Sequence, residues 1–211
     1  MVVVLDLDDT LYSERSYQTS GYMYLVEVLH RLYSIERESL EAIVKEEGDV
    51  LGKLSELVGC SDIKESLLWL YRTHSPDILL SNGVLKTLNK IKKSEHTLVL
   101  LTDGRSITQR LKLASLGLLD LPLYVSQEYC SEKPSTLRFE KIMSQFNGNN
   151  YMYVGDNPHK DFFAPNKLGW KTIGIKMSAD NIHRYDTTQI PVEYLPDLWV
   201  DHFSDLENHL C

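Results

Sequence analysis

The segment that most constrains the fold is residues 2–10. Its first four residues are apolar and three of them are valines, which predicts a buried strand of a parallel sheet. Three carboxylates follow within four positions, at Asp6, Asp8 and Asp9. Open α/β sheets bind ligands beyond the carboxyl ends of their strands, so this cluster is a candidate ligand site. Alternation along an extended chain predicts that Asp6 and Asp8 point the same way and Asp9 the opposite way.

Two carboxylates held close together repel each other and need a cation or a shared proton. Their hard oxygens suit Mg²⁺, which usually takes one or two carboxylates together with phosphate oxygens. A solvated acidic loop is the alternative for this segment taken alone. A calcium loop is disfavoured, because the glycine at its sixth position and the glutamate at its twelfth are missing.

The rest of the chain falls into a helical block and an alternating block. Apolar residues at helical spacing predict four helices, at about 14–32, 36–44, 50–58 and 63–71, with Ser61 or Asp62 capping the fourth. Strands are predicted at 97–101, 123–126, 151–154, 171–175 and 198–200, and helices at 84–91, 106–116, 137–146, 161–168 and 203–210. Residues 178–196 are predicted to be loop. Repeated strand–helix units predict an α/β fold with a doubly wound parallel sheet.

The predicted domains are therefore an α/β core, residues 1–12 and 78–211, and an inserted α-helical domain, residues 13–77. The core strands end on polar residues. Thr102 follows the second strand, Lys133 lies a short loop beyond the third, and Asp156 follows the fourth. In a parallel sheet these ends share one edge with Asp6 and Asp8. A carboxylate nucleophile, a metal clamp, a hydroxyl and a cation together suit phosphoryl transfer, although each residue alone also has an ordinary structural explanation.

These residues resemble the four motifs of the haloacid dehalogenase-like (HAD) hydrolase superfamily, in order and over nearly the whole chain. The first motif matches residues 6–10, the second Thr102, the third Lys133 and the fourth residues 155–161. The insertion after the first motif resembles the family's α-helical cap. The resemblance implies a Rossmann-like core with an inserted cap domain. It also implies an Mg²⁺-dependent phosphatase that works through an aspartyl-phosphate intermediate.

The resemblance also implies roles for the acidic residues. Asp6 would be the nucleophile, and Asp8 the general acid for the leaving alcohol and then the general base for water. Mg²⁺ would be held by Asp6, by the backbone carbonyl of Asp8 and by Asp156. Asp161 would orient these ligands or pair with Lys133.

The remaining site residues are expected to bind the phosphate and the rest of the substrate. By the resemblance, Thr102 would hydrogen-bond a phosphoryl oxygen and Lys133 would neutralise its charge and hold Asp6. Backbone N–H groups of Asp103 and Gly104 would add donors at the start of the next helix. Arg105 is a further candidate for substrate contact.

Several alternatives stay open. A phosphosugar mutase of the same superfamily is the nearest, followed by a non-catalytic binding module and a phospho-accepting receiver domain. Dehalogenases of the superfamily lack the second carboxylate of the first motif, so Asp8 favours phosphate chemistry. The expected partner is a small phosphorylated metabolite: a sugar phosphate, a nucleotide or a similar ester. The sequence predicts no oligomeric state.

Charge and cysteine content limit the other classes. The net charge of −8 over 211 residues disfavours binding to nucleic acid or to an acidic membrane. We expect no secretory leader before the first strand and no membrane span, because no apolar run of the sequence has membrane-spanning length. The three cysteines are scattered without a paired motif: Cys60, Cys130 and Cys211. We expect reduced thiols and a cytoplasmic protein.

Overall fold

The computed structural model describes residues 1–60, 62–148 and 150–210. It contains a six-stranded sheet in the order β3-β2-β1-β4-β5-β6, in which all neighbours are parallel. The strands are β1 Val2–Leu5, β2 Thr97–Thr102, β3 Leu123–Val125, β4 Tyr151–Gly155, β5 Lys171–Ile175 and β6 Leu198–Val200. The predicted fold class is confirmed.

Nine helices are described. They are α1 Glu14–Tyr33, α2 Arg37–Val44, α3 Val50–Val58, α4 Ile63–Thr73, α5 Asn82–Lys93, α6 Ser106–Leu116, α7 Ser126–Tyr129, α8 Leu137–Gln145 and α9 Phe163–Lys167. Three short 3₁₀ helices follow at Thr187–Gln189, Val192–Tyr194 and Phe203–His209. The first two lie in the segment predicted to be loop.

Four local predictions were wrong. Ser126 begins α7 and does not end β3. The predicted last helix is 3₁₀. The helix predicted from Asp161 begins at Phe163, since the Asp161 side chain accepts hydrogen bonds from the loop after β4. Asp62 makes no side-chain cap to α4, because its own backbone is already helical. Ser61, the other predicted cap, lies outside the described residues.

Strand β1 lies inside the sheet, between β2 and β4, and its side chains are apolar on both faces. All four residues are buried, and Val4 pairs in register with Val99 on one side and Tyr153 on the other. One cluster of the core packs against this strand; its largest fully buried aromatic members are Phe139, Tyr153 and Phe162. Central burial on both faces is what the run of β-branched residues predicts.

The chain divides into two compact units. The first contains residues 1–15 and the described residues from 79 onward, and the second is Ser16–Ile78. The second unit has its own core, which includes Leu25, Leu40, Leu54 and Leu67. Helix α3 ends at Gly59, whose φ of 76° is left-handed backbone that glycine adopts without a steric penalty. A role of this unit as a cap stays a prediction.

Two further expectations concern the whole chain. Among the described residues, the helices lack a stretch long and apolar enough to span a bilayer. Cys60 and Cys130 are free, exposed thiols. Cys211 lies outside the described part of the chain.

Candidate active site

The predicted site residues meet at the carboxyl edge of the sheet. Asp6 follows β1, Thr102 ends β2 and Asp156 follows β4. They border a cavity of about 110 Å³. The full lining is Asp6, Asp8, Asp9, Glu14, Thr102, Asp103, Lys133, Asp156, Asn157, Lys160, Asp161 and His183. Seven of the nine predicted site residues therefore share one cavity, as adjacent strand ends of a parallel sheet predict.

Lys133 carries the buried positive charge of this cavity. Its Nζ lies 2.9 Å from Asp6 Oδ1 and 2.5 Å from Asp161 Oδ1. Burial alone would lower the pKa of the ammonium, but Asp161 and Asp6 raise it well above its usual value. Lys133 is therefore a fixed cation that contacts the predicted nucleophile directly.

Asp161 lines the cavity and holds the loop of the fourth motif in place. Its Oδ1 accepts hydrogen bonds from Lys133 and from the Tyr153 hydroxyl at 3.1 Å. Its Oδ2 accepts from the backbone N–H groups of Asp156 at 3.1 Å and Asn157 at 2.7 Å. Four hydrogen bonds therefore hold this carboxylate in place. The predicted contact of Asp161 with Lys133 is observed, and its role in orienting the metal ligands stays a prediction.

Asp6 and Asp156 are buried carboxylates with little to neutralise them besides Lys133. One oxygen from each, together with one from Asp161, lies within 4.8 Å of the others. Burial raises the pKa of Asp6 to about 7 and that of Asp156 to about 9, and the nearby carboxylates add to both shifts. Buried acids that resist ionisation are typical of a site that a bound cation completes.

Asp8 lies in an environment of the opposite kind. Lys112 Nζ lies 2.7 Å from its Oδ1 and 2.8 Å from its Oδ2. The Tyr12 hydroxyl donates to Oδ1, and Gln109 Nε2 donates to Oδ2 at 3.3 Å. Burial would raise the pKa of Asp8, but Lys112 and these hydrogen bonds lower it below its usual value. The pKa values of Asp6 and Asp8 are thus shifted in opposite directions, which suits different chemical roles.

Asp9 corrects one expectation. It lines the same cavity and does not point away from Asp6 and Asp8. The strand ends at Leu5 and Asp9 has a φ of 52°, so strand alternation no longer applies there. Its Oδ1 accepts a hydrogen bond from the backbone N–H of Glu14 at 2.8 Å.

Arg138, which is fully buried, holds the loop after β2 in place. Arg138 donates to the carbonyl of Thr102 at 2.8 Å and forms an ion pair with Asp103. The Asp103 carboxylate also accepts from the backbone N–H of Lys133, at 3.2 Å to the nearer oxygen. Arg138 and the Asp103 side chain therefore tie the second motif to the third.

Gly104 and Arg105 lie apart from this cavity. They line a second cavity of about 490 Å³, together with Ser126 and residues 127 and 130–132. The Gly104 N–H already donates to Ser126 Oγ at 2.9 Å. Substrate contact by these two residues stays a prediction.

The segment after β5 adds contacts that sequence reasoning missed. The Tyr185 hydroxyl donates to the backbone carbonyl of Asp156 at 2.9 Å. His183 Nε2 lies 3.7 Å from Glu14 Oε2 at the cavity wall. Burial, and then the charge of Asp8, raise the pKa of Glu14 to about 7. This segment has no hydrophobic period, so the sequence offered no signal for these contacts.

Lys112, Gln109 and Arg138 were also missed. Gln109 and Lys112 are three residues apart on α6, so they share one helical face, and both are buried. A polar pair on the face that a helix turns toward the sheet edge was an available signal. Arg138 offered none, because a single arginine at the start of a helix is usually a surface residue.

The fold and cavity define an α/β enzyme with its acidic site at the carboxyl edge of a parallel sheet. The family model for haloacid dehalogenase-like hydrolases matches residues 3–175. The chain belongs to this family, which confirms the resemblance and the prediction that the protein is a hydrolase.

Two curated relatives share one name, glyceraldehyde 3-phosphate phosphatase. The protein from Methanocaldococcus jannaschii is 26% identical over 190 residues, covering 82% of this chain and 83% of the relative. The protein from Pyrococcus furiosus is 31% identical over 139 residues, covering 60% of this chain and 58% of the relative. A HAD-hydrolase from Bacillus subtilis, solved with magnesium bound, has a TM-score of 0.65 at 14% identity. That match covers 99% of this chain and 97% of the solved one.

Proposed function

We propose that this protein is a Mg²⁺-dependent phosphatase that hydrolyses a small phosphate monoester through an aspartyl-phosphate on Asp6. The observation that carries the proposal is the contact of Lys133 Nζ with Asp6 Oδ1, 2.9 Å long, inside a buried acidic cavity. A carboxylate beside a fixed ammonium is shielded from the negative charge of an incoming phosphate. Membership of the hydrolase family and two relatives named as phosphatases support the same reaction.

The donor set fits Mg²⁺. Asp6 and Asp156 offer hard oxygens, and their raised pKa values leave their ionised forms in need of a cation. We assign the metal to Asp6, Asp156 and the backbone carbonyl of Asp8. We assign Asp161 to orienting these ligands, because its oxygens accept hydrogen bonds from Lys133, from Tyr153 and from the backbone N–H groups of Asp156 and Asn157. When bound, the ion supplies positive charge for the phosphoryl oxygens.

In the first step, an oxygen of Asp6 attacks phosphorus and the bond to the leaving oxygen breaks. Lys133 holds the nucleophile in place and neutralises charge on the nonbridging oxygens. Thr102 is 1% exposed and borders the cavity, so its hydroxyl is available to donate to one of these oxygens. Its present acceptor is the Asp103 carbonyl at 3.4 Å, a long bond that is easily exchanged.

In the second step, water attacks the phosphorus of the aspartyl-phosphate and releases Asp6. Asp8 enters the first step protonated and gives that proton to the leaving alcohol; in the second step it takes a proton from the attacking water, so the cycle conserves the proton. Its lowered pKa favours the ionised form, which is the base of the second step. Hydrolysis in two displacements avoids the direct attack of water on a stable ester.

The substrate we propose is a small aliphatic phosphate monoester, with triose phosphates as the first candidates. The shared name of the two relatives supports this class. The cavity of about 110 Å³ has room for a phosphoryl group. The proposed class is wider than the substrate in that name and includes other small sugar phosphates.

The test is phosphate release by the purified protein from a panel of triose, pentose and hexose phosphates, nucleotides and an aryl phosphate. We expect release that requires Mg²⁺ and stops in excess chelator. Asp6→Asn should abolish it, because an amide cannot form the acyl-phosphate. The matched control is Asp120→Asn, which changes an exposed carboxylate paired with Lys92.

Two outcomes would overturn the assignment. Full turnover in excess chelator would remove the metal. Conversion of a sugar phosphate to its isomer without net phosphate release would make the protein a mutase.

A further inference from the structure

Lys112 of α6 is a buried lysine whose side chain is 4% exposed. It contacts both oxygens of Asp8, at 2.7 and 2.8 Å. None of the four sequence motifs includes it, and the mechanism above does not use it. A buried ammonium needs a paired charge, and Asp8 provides that charge in a two-oxygen contact.

Gln109 completes the arrangement one helical turn earlier. Its Nε2 donates to Asp8 Oδ2 at 3.3 Å and to the Asp103 carbonyl at 2.8 Å. Gly104 makes room for this amide, since a Cβ there would lie 2.6 Å from Gln109 Nε2. Helix α6 therefore links the carboxylate of the first motif to the loop of the second.

Stability alone is a poor explanation for this ion pair. A buried pair gains little over apolar side chains of similar volume, because desolvation of both ions offsets their attraction. Orientation is a better explanation. Asp8 Oδ1 accepts hydrogen bonds from Lys112 and Tyr12, and Oδ2 accepts them from Lys112 and Gln109. Contacts to both oxygens fix the orientation of the carboxylate plane.

We propose that Lys112 and Gln109 are positioning residues that fix the Asp8 carboxylate for proton transfer to the leaving oxygen and from water. This inference rests on the proposed function. It makes a face of α6 part of the phosphatase site and assigns to Lys112 a role that acts entirely through Asp8.

The experiment is a double-mutant cycle of Lys112→Met with Asp8→Asn, measured as kcat and KM on an alkyl and an aryl phosphate. Misplacing a catalytic group by about 1 Å can cost about 100-fold in rate. We expect Lys112→Met to lower kcat/KM on the alkyl ester by about 100-fold and kcat/KM on the aryl ester by less, because an aryl leaving group needs less help from the acid. Since both esters form the same aspartyl-phosphate, kcat should fall on both. In the Asp8→Asn background, the same change should cost nothing further.

Gln109→Met is the second variant, in case Lys112→Met folds poorly. We expect a loss of about 10-fold, smaller than the loss for Lys112→Met, because Gln109→Met removes one of several contacts to Asp8. This loss should also disappear in the Asp8→Asn background. Lys92→Met is the control, since Lys92 forms an exposed pair with Asp120, and its activity should match wild type.

The outcomes separate the two proposals. An active wild type in which Lys112→Met has no effect, or costs as much with Asn at position 8 as with Asp, overturns the role of Lys112 alone. A wild type that releases phosphate from none of the esters overturns the proposed function and this inference with it. An increase in KM with kcat unchanged would make Lys112 a substrate-binding residue and would also contradict the proposal.

Discussion

Replacing Asp156 by Asn should stabilise the metal-free protein. Asp156 is 6% exposed, and burial together with Asp161 and Asp6 raises its pKa from 3.8 to about 9. Its folded-state pKa therefore lies above its unfolded value. The stability that the proton provides is complete below about pH 4 and is lost as the pH rises toward 9. An amide of the same shape needs no proton.

The magnitude follows from the width of this window. Between pH 5 and pH 8 an unfolded aspartate is ionised, while folded Asp156 keeps its proton. Each pH unit then lowers the free energy of unfolding by about 1.36 kcal/mol, or about 4 kcal/mol over the range. With a urea m-value of about 3 kcal/mol/M, the midpoint of wild type should fall by roughly 1–1.5 M more than that of Asp156→Asn.

The assay is urea unfolding in chelator at pH 5 and pH 8, followed by tryptophan fluorescence. Asp201→Asn is the control, because Asp201 is exposed and Lys176 lowers its pKa. At both pH values the Asp201→Asn protein should be no more stable than wild type, and its urea midpoint should fall between pH 5 and pH 8 by as much as that of wild type. Adding Mg²⁺ at pH 8 should raise the midpoint of wild type and leave Asp156→Asn unchanged. A gain for Asp156→Asn that is equal at both pH values, or absent, would refute the reasoning.

Three further changes probe the supports of the site. Gly155→Ala should sharply reduce activity, because its Cβ would lie 2.5 Å from Asp161 Oδ2; wild-type kcat in a folded variant would contradict this. Arg138→Met should lower the free energy of unfolding by about 3–5 kcal/mol, since it leaves Asp103 without its buried partner; a urea midpoint equal to wild type would count against it. Tyr153→Phe removes the hydrogen bonds of the hydroxyl with Asp161 and Lys133. It should lower the free energy of unfolding by only about 1 kcal/mol, with activity retained; a decrease as large as that of Arg138→Met would contradict this prediction.

Much of the fold could be predicted because its signals are local. The apolar run of β1 and the polar residues that end β2 and β4 are visible in the sequence, and the parallel sheet brings them to one edge. Helix α3 has the predicted bounds, and Gly59 was the visible signal for its end. The Asp49 side chain, which caps its start, was not part of the prediction.

The parts that could not be predicted depend on contacts across the fold. Lys112 and Asp8 are 104 residues apart in the chain, and no local pattern specifies that pairing. The direction of Asp9 also required the structure, because the strand ends four residues before it and a left-handed residue redirects the chain. Tyr185 contacts the Asp156 carbonyl from a segment without periodicity.

The central claim is a covalent phosphoryl group on Asp6, and trapping it is the most direct measurement. The Asp8→Asn protein is mixed with an aryl phosphate and Mg²⁺, quenched in acid, digested and analysed by mass spectrometry. Since an aryl ester needs little help from an acid, Asp6 should be phosphorylated, and without its base the intermediate should persist. The account predicts one phosphoryl group on the peptide that carries Asp6, and none when Asp6 is also replaced by Asn. Turnover by wild type with no phosphoryl group on that peptide, or with the group on another residue, would contradict it.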